Sequence, residues 1–164
     1  MKKTLVALSL LGLLGVAHAD DGIKNGSDGF SVFAGANNYK TMNESSTGYG
    51  IGANYTKYLN NNVFVQPSIH YNSSQSGLND SQLLGYVDLG YTFRLENNIT
   101  ISPKIGVGFH HTIADDASDT KVSYNAGVEV GFAKRWSVSL ETNYLSGGNG
   151  KHVDITTLSL GYKF

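Results

Sequence analysis

Residues 95–109, LENNITISPKIGVGF, alternate with a period of two. Ile99, Ile101, Ile105, Val107 and Phe109 share one face, and Thr100, Ser102, Lys104, Gly106 and Gly108 share the other. Successive side chains point to opposite sides only in a β-strand, so the stretch reads as a strand with one apolar face. Nothing after the N-terminal segment shows a helical period. Turn chemistry divides the chain into eight such segments, at 29–39, 47–58, 63–73, 82–94, 99–112, 120–133, 136–146 and 153–164. Short connections at Leu59–Asn62, Leu95–Asn98 and around Lys134 alternate with longer polar ones near 40–46, 74–81, 113–119 and 147–152. An even number of strands with alternating short turns and longer loops is the arrangement of an up-and-down transmembrane β-barrel.

Pro103 interrupts this pattern, because proline removes a ladder donor and argues against an interior strand. The chain, however, writes the pattern twice. YLNNNVFVQPSIHY from Tyr58 and RLENNITISPKIGV from Arg94 align so that Leu59 matches Leu95 and Asn61–Asn62 match Asn97–Asn98. In the same alignment Val63, Val65, Pro67 and Ile69 match Ile99, Ile101, Pro103 and Ile105. A weaker third copy follows Arg135, with Trp136, Val138 and Leu140 in the apolar places. Both prolines fall on the apolar phase, five residues into a rising strand, where a local bend or bulge is expected.

Composition decides which face looks inward. Only 15% of the residues are charged, against roughly one quarter in soluble domains. The face opposite the aliphatic one is built of small groups such as Gly48, Gly50, Gly52, Ser68, Gly106, Gly108, Gly127 and Gly131. That set makes a poor soluble surface and a good filling for the narrow lumen of an eight-stranded barrel. The aliphatic face therefore turns outward, into lipid. On that phase Tyr55, Phe93, Phe132, Trp136, Tyr162 and Phe164 gather near the short turns. Tyr49, Tyr71, Phe109, Tyr124 and Tyr144 gather near the loops, giving two aromatic girdles. With no cysteine there is no disulfide or thiolate site, and with no basic run there is no nucleic-acid footprint.

The first 19 residues read as a signal peptide: Lys2 and Lys3, an apolar run from Leu5 to Val16, and the small-x-small ending Ala17-His18-Ala19. The apolar run is short of the roughly 20 residues that a helical span needs. The barrel domain is expected to occupy 20–164, that is 164 − 19 = 145 residues, with the formal charge moving from −1 to −3 on loss of the two lysines.

The ending LSLGYKF places Leu158, Leu160, Tyr162 and terminal Phe164 on alternate positions. It resembles the C-terminal signature of bacterial outer-membrane β-barrels. The chain is similar to the small group that includes the outer membrane protein A transmembrane domain and the opacity-type proteins. PKIGVG, with its proline on a rising strand, fits that group as well. The resemblance implies residence in the cell outer membrane, contact with its lipids and lipopolysaccharide, and recognition of the terminal aromatic by the barrel assembly machinery. A monomer is expected.

The inward phase holds Asp88, Arg94, Lys104, Glu129 and Glu141, with Lys163 at the short-turn end. Lys104, Glu129 and Glu141 lie at similar depth on three consecutive strands, which predicts one ion-pair layer, with Arg94 or Lys163 as second cation. Charges in so narrow a lumen need partners, and once paired they plug it. A structural or surface protein, or a very narrow channel like the gated path the resemblance implies, is the expected function.

Two further readings are a surface adhesin and a lipid A-modifying enzyme. The loops are short for an adhesin, only about six to eight residues. Lipid A deacylases of similar build carry an H-x-S pair, and NYLSGG has Asn143 and Leu145 in those places. His70 has Ser73 nearby at the wrong spacing, and His110–His111 precede Thr112. No enzymatic activity, cofactor or metal site is expected, since His70, His110 and His152 lack ligand spacing. ADDASD, with Asp115, Asp116 and Asp119, is a solvated acidic loop without the calcium-loop pattern.

Overall fold

The computed structural model of the chain describes residues 26–40, 45–74, 81–113, 118–146 and 152–164. The signal-peptide segment, Asp115 and Asp116 lie outside the described residues. Eight strands follow one another: β1 (Gly29–Lys40), β2 (Ser45–Tyr58), β3 (Val63–Ser74) and β4 (Ser81–Tyr91, continued as Phe93–Arg94 beyond Thr92). Then come β5 (Thr100–Ile113), β6 (Ser118–Phe132), β7 (Trp136–Ser146) and β8 (His152–Lys163). Each pairs antiparallel with its sequence neighbours, and β1 pairs with β8, so the sheet closes into a barrel. Closure leaves no strand edge unpaired, a requirement in hydrocarbon, where backbone groups have no water to turn to.

Two of the short turns close alike by different chemistry. Leu59 N–H donates to the Val63 carbonyl and Leu95 N–H to the Ile99 carbonyl, both at 2.9 Å. In the first turn the Asn60 side-chain oxygen accepts from the amides of Asn62 and Val63 at 2.9 and 2.8 Å. Glu96 stands in that place in the second turn, and there Asn97 and Asn98 take left-handed φ values of 62° and 60° instead. Asparagine is among the few residues that tolerate that region.

The prolines produce no bulge. Pairing of β2 with β3 keeps one register on both sides of Pro67, from Asn54↔Ser68 to Lys57↔Val65, and merely lapses between them. The register of β4 with β5 likewise continues from Gly90↔Lys104 to Phe93↔Ile101 across Pro103. On its other side each proline stays in an unbroken ladder, as Pro67↔Val87 and Pro103↔Val128. Side chains bridge both lapses. Gln66 donates to Thr56 Oγ1 at 2.8 Å, and Thr92 Oγ1 meets Ser102 Oγ at 2.9 Å and the Tyr58 hydroxyl at 2.7 Å. The repeat thus extends back into the descending strands, where Tyr55-Thr56 matches Tyr91-Thr92. Each threonine links the two strands from inside the barrel, beside the rung that its proline removes from the ladder.

The two faces separate as the alternation predicts. Val87, Ile105, Val107, Leu140 and Leu158 are exposed outward, Ile105 with 66% of its surface open. Near the short turns Trp136 packs edge-on against Tyr162 (5.0 Å), and Tyr162 against Phe164 (5.1 Å). Inside, large side chains sit where the neighbouring strand offers glycine. A Cβ on Gly90 would lie 2.2 Å from the Phe64 ring, and one on Gly52 2.3 Å from the Phe33 ring.

Because Ile105 lies mid-strand on the lipid face, Ile105→Arg should destabilise the barrel in bilayers by about 2–4 kcal/mol. Glu96→Arg, in an exposed turn, should cost little. Urea titrations showing equal tolerance at the two sites would contradict the outward assignment.

Candidate functional site: a charged layer in the lumen

Strand register sets the charged layer. Lys104 on β5 pairs with Gly127 on β6, and Gly127 with Glu141 on β7. All three project inward, and the middle one has no side chain, so Lys104 and Glu141 meet across it. Their ion pair is 2.6 Å long, with both side chains buried. A Cβ on Gly127 would come within 2.7 Å of Glu141 Cγ. The adjoining row repeats the device: Asp88 on β4 pairs with Gly106, and a Cβ there would lie 1.9 Å from Asp88 Oδ1.

The polar groups form one connected chain. Lys104 Nζ donates to Gln66 Oε1 at 2.8 Å, and Gln66 donates in turn to Thr56. Asn125 donates to Glu141 Oε2 at 3.4 Å. Asp88 stands 3.9 Å from Lys104 Nζ, and neither of its oxygens has a hydrogen-bond partner. Six strands, β2 to β7, therefore contribute side chains around one ammonium. A buried pair of this kind repays its desolvation only when further hydrogen bonds satisfy it, as Gln66 and Asn125 do here.

The other residues singled out by sequence fall elsewhere. Glu129 pairs with Ser102 and Ser139, one row nearer the short turns, and makes no ion pair within 4 Å among the described residues. Expecting it level with Glu141 placed it one pleat too high. Arg94 is exposed at the turn end, not in the layer. It donates to the carbonyls of Asn61 and Gly26 and lies 5.4 Å above the Tyr58 ring. Lys163 is buried below the layer and donates to the Ser27 carbonyl. His70 is buried against the rings of Phe33 (4.8 Å) and Tyr86 (5.7 Å), and its hydrogen-bonding hydroxyl is Ser68 at 3.1 Å, not Ser73. Asn143 and Leu145 also face the lumen. His111 bonds Thr120 at 2.7 Å, and Asp119 pairs with Lys121 at 2.7 Å.

Gln66 and Thr56 escaped the sequence reading because they carry no charge. Their signal was present in the repeat, as the residue before each proline and the threonine after each Tyr55-type tyrosine. An apolar cluster was also missed: Tyr39, Leu84, Tyr86, Leu145 and Ile155 pack together inside the barrel toward the loop end. All five are inward residues on strands whose apolar signal belongs to the other face.

The two acids around Lys104 should respond oppositely. Glu141→Gln leaves a buried ammonium short of its carboxylate and should cost about 3–5 kcal/mol. Asp88→Asn removes the surplus negative charge and should leave the barrel at least as stable. Urea titration of both variants in the same lipid checks this, and equal losses would refute it.

Comparison with known proteins agrees with this architecture. The chain resembles neisserial surface protein A (TM-score 0.64, 13% identity, 82% of this chain and 97% of that one). It resembles the outer membrane enzyme PagL (TM-score 0.61, 16% identity, 84% and 100%). It also resembles the N-terminal β-barrel domain of OprF from Pseudomonas aeruginosa (TM-score 0.56, 18% identity, 84% and 100%). At such identities these likenesses speak for the fold alone. No curated protein sequence matches the chain. The family described as outer membrane protein beta-barrel domain matches residues 6–164. Closed eight-stranded architecture, lipid-facing belt and family match agree: the chain belongs to the outer membrane protein β-barrel domain family and is an integral protein of the bacterial outer membrane.

Proposed function

We propose that the protein is a closed barrel serving the outer membrane as a structural surface protein, its lumen plugged instead of open. The observation that carries this reading is how little space the described residues leave beside the charged layer. Two cavities beside the Lys104 layer, one bordered by Ser102, Glu129 and Lys163 and the other by Asn54, Glu129 and Glu141, measure only about 10 Å³ each. That is about one water-sized sphere. Above the layer, the Tyr39, Leu84, Tyr86, Leu145 and Ile155 cluster adds an apolar seal, which opposes hydrated ions.

The catalytic alternative takes its support from PagL, whose name declares it an enzyme. A lipid-modifying site would have to reach the membrane. The hollow on the lipid face between β3 and β6 is mainly aliphatic, lined by Val65, Val87, Ile105 and Val107. The polar residues at it are Asp88, Tyr124 and Asn125, with no histidine, serine or threonine among its lining residues. His70 and Ser68 do touch, but inside the barrel, away from lipid. The binding alternative rests on the four loops, most of whose residues lie outside those described. Under the proposed reading the short-turn end faces the periplasm, and the outward row Leu158, Leu160, Tyr162 and Phe164 serves as the assembly signal.

In planar bilayers the purified barrel should show no lasting open level, and Lys104→Ala should introduce brief openings at most. A stable conducting state of the unmodified protein would move the narrow-channel reading ahead of the plug.

A further inference from the structure

We infer that Gly26–Asp28 form a strap across the turn-end mouth of the barrel, fastened by cations from three strands and roofing the chamber that holds Glu129. Each residue of the strap has its own fastening. Arg94, at the end of β4, donates from Nη2 to the Gly26 carbonyl at 2.6 Å. Lys163, at the end of β8, donates to the Ser27 carbonyl. Asp28 pairs with Lys57 of β2 and accepts the Tyr58 amide N–H at 2.7 Å. β2, β4 and β8 are not adjacent in the barrel, so the tripeptide is held from separate sides of the mouth.

Gly26 borders the cavity shared by Tyr58, Ser102, Glu129 and Lys163, which places the strap directly over it. The geometry needs glycine there. Gly26 has φ +79°, and a Cβ would meet Arg94 Nε at 3.2 Å and Thr100 Cγ2 at 3.3 Å. Arg94 is itself braced by the Asn61 carbonyl, the Asn62 side chain and the Tyr58 ring. This explains why a residue on the inward phase of β4 lies outside the charged layer. It serves the mouth, and the strap is a second seal independent of the Lys104 plug.

The Lys57 hydrogen bond, with the Tyr58 amide second, holds the Asp28 carboxyl below its ordinary value of 3.8, and Lys163 adds a weaker attraction. A lowered carboxyl contributes its fastening fully above that ordinary value and loses it as the pH falls through the lowered one. The strap should therefore stay closed at neutral pH and loosen only in strong acid.

The chain contains no cysteine, so a single introduced one reports cleanly. Ser102→Cys lies beneath the strap, on the turn side of Lys104. In the refolded full-length barrel, a charged methanethiosulfonate reagent should label it about tenfold more slowly with the strap intact than with Asp28→Asn plus Arg94→Gln, as local opening requires. Gly26→Val, which leaves every cation in place, should raise labelling similarly, and only variants keeping the barrel's circular dichroism are compared. Equal labelling rates with and without the strap substitutions, whether fast or slow, would overturn the proposal. Ser123→Cys, beyond the charged layer, should stay protected in every strap variant. Faster labelling there as well would count against the plug while leaving the strap supported.

Discussion

The ion pair of Lys104 with Glu141 depends on a residue that contributes no side chain at all. Gly127 stands between them in the register, and only its bare backbone lets an ammonium on β5 reach a carboxylate on β7 at 2.6 Å. In a narrow barrel the interior wall leaves no room for charges to move apart, and hydrocarbon outside forbids turning them outward. The pair therefore constrains its surroundings. Gln66 must satisfy the ammonium from β3, Asn125 must satisfy the carboxylate from β6, and Gly106 must make way for Asp88. Shifting any one of these strands by a residue would turn its own contribution toward lipid.

The same rule of large against small fills the rest of the lumen. Phe33 lies over Gly52, Phe64 over Gly90 and Asn72 over Gly50. Glycine here is valued for the space it leaves and not for backbone freedom. Cores gain from such interdigitation because a buried void forfeits contacts on one side. Against a polar wall it has a second consequence: hydrogen bonds form across a glycine between strands that are not nearest neighbours. At the proline lapses Thr56 and Thr92 link the strands from inside the barrel, beside the rungs that Pro67 and Pro103 delete from the ladder.

Strand number, turn positions and the choice of outward face were legible because lipid imposes an uncharged face with period two on every strand. Ile105, Val107 and their equivalents declare it without help from tertiary context. The lumen was only partly legible. Its charges could be counted, but pairing depends on stagger between strands, and a count of residues from the turns put Glu129 one row too high. Arg94 has the inward phase and still lies outside, because Gly26 and Asn61 offer it carbonyls at the mouth. The supposed bulges at the prolines failed for a similar reason. Whether a lost donor is answered by a bulge or by a neighbouring hydroxyl depends on what faces it across the strand, which local sequence does not encode.

The central claim is that the closed lumen is organised around Lys104 and Glu141 and not around Glu129. Double-mutant cycles in lipid, using Lys104→Met with Glu141→Gln and separately with Glu129→Gln, test it most directly. The first cycle should give a coupling energy toward the upper part of the roughly 0.5–3 kcal/mol found for contacting residues. The second should be markedly smaller. Zero coupling for Lys104 with Glu141, or coupling of equal size in the two cycles, would contradict the account.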